Sequence, residues 1–89
     1  MRRFLIGSNN KTKKLEKNKA FKIVGVYSKG FTSYETTGFW QGKKEKSLVI
    51  ELDDINAKET NKLAKELARA LEQQTIGVQN IKTNIKFIN

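Results

Sequence analysis

The sequence predicts an α+β fold: two layers, with a mainly antiparallel sheet of four or five strands carrying one helix packed on one face. Three observations lead there. Apolar residues alternate with polar ones in several stretches between residues 20 and 52. Only one stretch, after Asn56, places apolar residues at three- and four-residue spacing. At 89 residues the chain has room for a single core, so residues 1–89 read as one domain with one basic loop at 8–19.

The elements follow in chain order. Arg3 to Gly7 contains Phe4-Leu5-Ile6 and reads as a short strand or an anchored terminus. Ser8 to Lys14 breaks all periodicity, because its polar side chains compete with the backbone and its lysines crowd one another. Leu15 is the only apolar residue between Gly7 and Ala20, which argues against a core-packed helix there. From Ala20 the period becomes two. Phe21, Ile23 and Tyr27 alternate with Lys22, Val24 and Val26, and Gly25 marks a weak spot or bulge. Ser28-Lys29-Gly30 supplies a turn, and Phe31 to Gln41 reads as the second strand of a hairpin. After a turn at Gly42-Lys43-Lys44-Glu45, Lys46 to Leu52 puts Leu48, Ile50 and Leu52 on one face. Together these predict a three-stranded meander.

The helix comes next. Asn56 followed by Glu59 forms a capping box, with Asp53 and Asp54 just ahead. Leu63, Ala64, Leu67, Ala68 and Leu71 make one apolar stripe, ending near Gln73 or Gln74. Ile76 and Val78 then alternate in one phase, and Ile81, Thr83, Ile85 and Phe87 in the other. A bulge or turn at Gln79-Asn80 is implied, since a slip of one residue reverses the faces of a strand. The expected core is Phe4, Ile6, Ile23, Leu48, Ile50, Leu52, Leu63, Leu67, Leu71, Ile81 and Ile85.

Composition narrows the function. Cys and His are both absent, which removes disulfides, thiolate metal sites, the commonest general base and the commonest metal ligand. Glu35 and Glu51 fall on neighbouring predicted strands and could meet as a carboxylate pair, but the reading favoured for each is a surface cross-strand partner for a lysine. Asp53-Asp54-Ile55-Asn56 lacks the glycine and distal glutamate of a calcium loop, and helix capping accounts for it. Gly38 and Gly42 do not form a phosphate loop. The reading is of a non-enzymatic protein with no cofactor, no metal and no small-molecule substrate. The longest apolar runs are far too short for a membrane span, and no secretory signal is recognisable, so the cytoplasm is the expected location.

The charge is uneven. Of eighteen basic residues against nine acids, nine lie in residues 1–30 with only Glu16 to oppose them. Such an asymmetry suits an anionic partner, DNA or RNA, and equally suits a solvated lysine-rich face. The candidate nucleic-acid contacts are Lys11, Lys13, Lys14, Lys17, Lys19 and Lys29. Lysines position a phosphate backbone without reading bases, so the expected binding is weakly sequence-specific. Lys29-Gly30-Phe31 matches the opening of the RNA-recognition signature. The match then fails at Thr32, Ser33 and Thr36, and that fold also requires a second helix.

The aromatics allow an alternative. Phe31 and Phe39 share one parity, Tyr34 and Trp40 the other, so one set faces away from the helix. Tyr34 and Trp40 are candidate interface residues of a protein-interaction module, a phage-type inhibitor or a homodimer, that uses this sheet face and an edge. Gly38-Phe39-Trp40-Gln41-Gly42-Lys43-Lys44-Glu45-Lys46-Ser47-Leu48-Val49-Ile50-Glu51, with the helix and Glu72-Gln73-Gln74-Thr75-Ile76 after it, resembles small uncharacterised proteins of bacterial phages, plasmids and integrative elements. The resemblance spans residues 38–76 and brings no catalytic or ligand residue with it. It implies an accessory protein of a mobile element whose task is binding.

Overall fold

The structure is a computed structural model that describes residues 1–8, 14–40, 42–73 and 76–80, with the backbone alone at Trp40. Six elements run in the order β1 (Arg2–Ile6), α1 (Lys17–Tyr27), β2 (Thr32–Trp40), β3 (Lys43–Leu52), α2 (Ala57–Ala70) and β4 (Gly77–Asn80). The strands form one antiparallel sheet in the order β2-β3-β1-β4. Each helix therefore crosses over a strand inserted between the two it connects, the split βαβ arrangement of ferredoxin-like folds. The expected fold class holds. The helix count does not: among the described residues there are two.

Residues 20–27 account for the difference. They form a helix, where alternation predicts a strand. Ala20 and Val24 are fully buried, with Ile23 and Tyr27 packed beside them. Positions 20, 23, 24 and 27 repeat at helical spacing, and Val26, which alternation would treat as half of a strand face, is 83% exposed. The meander is consequently a hairpin, β2–β3, with β1 on its far side. Its turn is also tighter than expected. Trp40 pairs with Lys43, Gly42 turns at a φ of +76°, and Lys43 to Glu45 belong to the strand.

The core lies between the helices and the face of the sheet that presents Phe4, Ile6, Leu48, Ile50 and Leu52. Phe4 stands opposite Ile50 and Ile6 opposite Leu48, so side chains of matching parity meet on that face. Leu63, Leu67 and Leu71 cover them from α2 and are at most 2% exposed. Burying each such side chain contributes about 1.5–3 kcal/mol. Of the residues expected to be buried, Ile23 is only partly so, and Ile81 and Ile85 lie outside the described residues.

α2 is secured at both ends. The Asn56 side chain accepts from the Glu59 amide at 2.8 Å, and Glu59 accepts from the Asn56 amide at 3.3 Å, completing the predicted capping box. The helix stops at Ala70, before the expected Gln73. Glu72 takes a φ of 53°, its N–H donates to Arg69, and the Gln73 N–H donates to Ala68 at 2.8 Å, a Schellman closure. The Gln73 side chain then bonds the backbone of Gly7 in both directions and ties the end of α2 to the end of β1.

Candidate binding surface at the projecting hairpin

β3 is longer than the strand it shelters. Among the described residues, only Leu48 to Leu52 pair with β1, while Lys43 to Ser47 pair with β2 alone. The distal half of the hairpin thus projects past the body as a two-stranded ribbon, at the end where β1 finishes and α1 begins. Three contacts fix this placement. The Ser8 hydroxyl donates to the Lys46 carbonyl at 3.1 Å. Ile6 pairs with Leu48. Lys17, the first residue of α1, reaches Glu35 on β2 at 2.6 Å.

Beside the Ser8–Lys46 contact lies a cleft lined by Ser8, Lys43, Lys44, Glu45 and Lys46. Lys44 and Lys46 share the helix-side parity with Leu48, and Phe39, paired with Lys44, lies on that side too, 74% exposed. The Glu35 carboxyl is held below the usual carboxylate range, chiefly by its hydrogen bond to Lys17 and then by the charges of Lys17 and Lys46. Glu35 is therefore the acid that joins the start of α1 to the ribbon. The first turn of α1 contains no acidic residue, and Glu16 makes no side-chain cap bond there. Lysines around a helix start favour phosphate oxygens, and the Glu16 carboxylate at the N-cap position works against them.

The predicted contact residues divide accordingly. Lys14 and Lys17 sit at this end, just ahead of and within the first turn of α1. Lys19 lies there as well, 3.8 Å from Glu16. Lys29 does not join them: it follows α1 at the opposite end, where its backbone and charge act on Asp54. Asp54 is lowered mainly by its hydrogen bond with Ser28, the two lying 2.6 Å apart. Lys11 and Lys13 lie outside the described residues. Sequence reasoning missed Lys43, Lys44, Lys46 and Phe39 by assigning the first two lysines to a turn. The two-residue spacing between Trp40 and Lys43 was the available signal for a tight hairpin.

The other sheet face is organised differently. Arg3 donates to Glu51 through Nε at 2.8 Å and lies 2.7 Å from it through Nη2, and the Tyr34 hydroxyl donates to the same carboxylate at 3.3 Å. Glu51 thus neutralises Arg3 and raises its pKa. Tyr34 is 41% exposed on this face, as expected for a ring turned away from the helices. Trp40 occupies the last position of β2. Glu35 and Glu51 stand on opposite faces, each beside a cation, so they do not form a carboxylate pair. Among the described residues no cluster of acids could hold a metal ion, and no helix is long and apolar enough to cross a membrane.

The element order matches that of the RNA-recognition fold, so the objection that a second helix is missing falls. The residue match still fails, because Lys29-Gly30-Phe31 lies ahead of β2 and outside every strand. No protein-family model and no curated protein sequence matches the chain. Among solved structures it is similar to a phage SAM lyase in the apo state, with a TM-score of 0.52 at 15% identity over 86% of this chain and 74% of that one. A likeness at this identity concerns the fold.

Proposed function

We propose that this chain is a small cytoplasmic accessory protein of a mobile element that binds nucleic acid at the end formed by the start of α1 and the β2–β3 ribbon. The observation that carries this reading is the placement of Lys17, Lys44 and Lys46 with exposed Phe39 on the helix side of that end. Lysines contact phosphates while a ring can stack on an unpaired base, a combination that tolerates any sequence. Lys11, Lys13, Lys14 and Lys19 belong to the same contact in this reading, and Lys29 does not. The phage source of the structural neighbour agrees with a mobile-element setting.

A salt titration with duplex and single-stranded oligonucleotides tests it. If about four phosphates of a duplex are neutralised, log affinity falls against log salt with a slope near −3.6. Removing Lys44 and Lys46 together by alanine flattens that slope by about 1.8, whereas Lys29→Ala leaves it in place. Absence of binding at about 50 mM salt defeats the reading.

The shared fold favours a second reading, turnover of SAM. SAM carries a sulfonium cation, which an active site would meet with carboxylate or aromatic faces. Here Glu35 and Glu51 already face Lys17 and Arg3, so this reading draws on the fold, which hosts many functions. Incubating the chain with SAM and following its loss by chromatography separates the two.

A further inference from the structure

We propose that β2 is a pairing edge for a second copy of this chain, joining two four-stranded sheets into one eight-stranded sheet about a two-fold axis at Thr36. Among the described residues β2 pairs only with β3, so nine consecutive residues present an open edge. Proteins protect such edges with lysine, proline or a bulge. This chain has fifteen lysines and three arginines, yet none falls between Lys29 and Lys43, and the pairing of β2 with β3 runs from Thr32 to Trp40 without a bulge. The only charge along the edge is Glu35.

The occupant follows from register. Antiparallel pairing of β2 with its own copy, centred on Thr36, places Tyr34 opposite Gly38 of the second copy, Glu35 opposite Thr37, and Ser33 opposite Phe39. Both copies of Glu35 then avoid each other. Centring one residue earlier on the strand would stack Glu35 on Glu35, a like-charge pair directly opposite, which is destabilising. Centring one residue later sets Phe39 against the other copy's Glu35. The Thr36 register pairs all nine residues of β2, keeps the two copies of Glu35 apart and puts Phe39 diagonally beside Phe31 of the second copy, within reach of an aromatic ring. Phe31 already packs on Phe21 with ring centroids 5.8 Å apart, so it offers a ring surface on the helix side, where Phe39 lies. Phe39, 74% exposed in one chain, thereby gains an apolar neighbour.

The ribbon gains as well. A two-stranded hairpin is marginal in water, and a further strand is what such ribbons need for stability. Among the described residues of one chain the distal half of β2 has no partner besides β3, and the second copy supplies one along a nine-residue edge of about 30 Å. Two-fold pairing uses up both edges and closes at a dimer.

Sedimentation equilibrium of the full chain tests the proposal, with circular dichroism to confirm that each variant is folded. A concentration-dependent dimer is expected. Thr36→Lys sets two ammonium groups face to face at the axis and raises Kd about fivefold, while Thr37→Lys, facing Glu35 of the other copy, leaves Kd within about twofold. Phe39→Ser removes two symmetry-related ring contacts and raises Kd on the order of tenfold. Added salt screens the repulsion between two chains of net charge +9 and strengthens the dimer, opposite to its effect on phosphate binding. A monomer at every concentration up to about 1 mM overturns the proposal. So does a trimer or larger species, a dimer indifferent to Thr36→Lys and Phe39→Ser, or one that Thr37→Lys weakens more than Thr36→Lys.

Discussion

The two helices occupy the same face of the sheet and reach it by different means. α2 is specified by its own residues: a reciprocal cap at Asn56 and Glu59, a Schellman closure at Glu72 and Gln73, and a stripe of Leu63, Leu67 and Leu71. α1 has none of these. Its eleven residues begin without a side-chain cap, contain Gly25 and bury only Ala20 and Val24 completely. What holds α1 is the surface it lies on, together with the Tyr27 hydroxyl, which donates to Glu66 of α2 at 2.6 Å. A helix built from within tolerates a change in its neighbours better than one built by them.

That contrast can be broken from the strong side. Leu67→Ala leaves a cavity where the fully buried Leu67 side chain of α2 packs and is expected to cost about 2–5 kcal/mol, measured by urea denaturation. Asn56→Ala removes the reciprocal cap and costs about 1 kcal/mol in the same measurement. It can also be narrowed from the weak side. A methyl group added at Gly25 meets nothing within 4 Å, and its backbone is helical, so Gly25→Ala is expected to stabilise the chain by about 0.4–1 kcal/mol. A loss of stability there would mean that α1 needs its glycine for something other than helix formation.

The smallest effect concerns the link between the helices. Glu66, accepting from the Tyr27 hydroxyl, holds that phenol above the ordinary tyrosine range. The neutral phenol is the favoured partner, so the contact stabilises the fold below the ordinary tyrosine pKa. That contribution is lost as pH rises through the raised value. Tyrosinate absorbance should show Tyr27 ionising above pH 10, and Tyr27→Phe should remove that late titration.

The same contrast explains what was legible in the sequence. α2 carries its signals locally, so its start, its stripe and its place on the sheet could be read directly. β1 and the face of β3 that bears Leu48, Ile50 and Leu52 were legible too, because strict alternation records a half-buried strand. α1 was not. Ala20, Ile23, Val24 and Tyr27 fit a helical face, but Phe21, Ile23 and Tyr27 also fit a strand, and the β-branched residues with Gly25 tip propensity toward the strand. Only the sheet beneath them, assembled from residues 2–6 and 48–52, selects the helix. The candidate surface was half legible for a related reason. A run of lysines announces charge, but which lysines share one end depends on the crossovers. These separate Lys29 from Lys17 and bring Lys44 and Lys46 beside it.

The position of β1 has a consequence for how the chain is made. It is an interior strand whose neighbours, β3 and β4, both follow it in the chain, and the pairing of Ile6 with Leu48 must wait for forty-two further residues. At roughly 5–20 residues per second, Phe4, Leu5 and Ile6 leave the ribosome some 2–8 s before their first partner exists. During that interval the strand is open to chaperones or to the same strand of a chain on a neighbouring ribosome. A nascent chain arrested before residue 48 therefore has the residues of α1 but no sheet to make them a helix, and the fold arrives late and all at once.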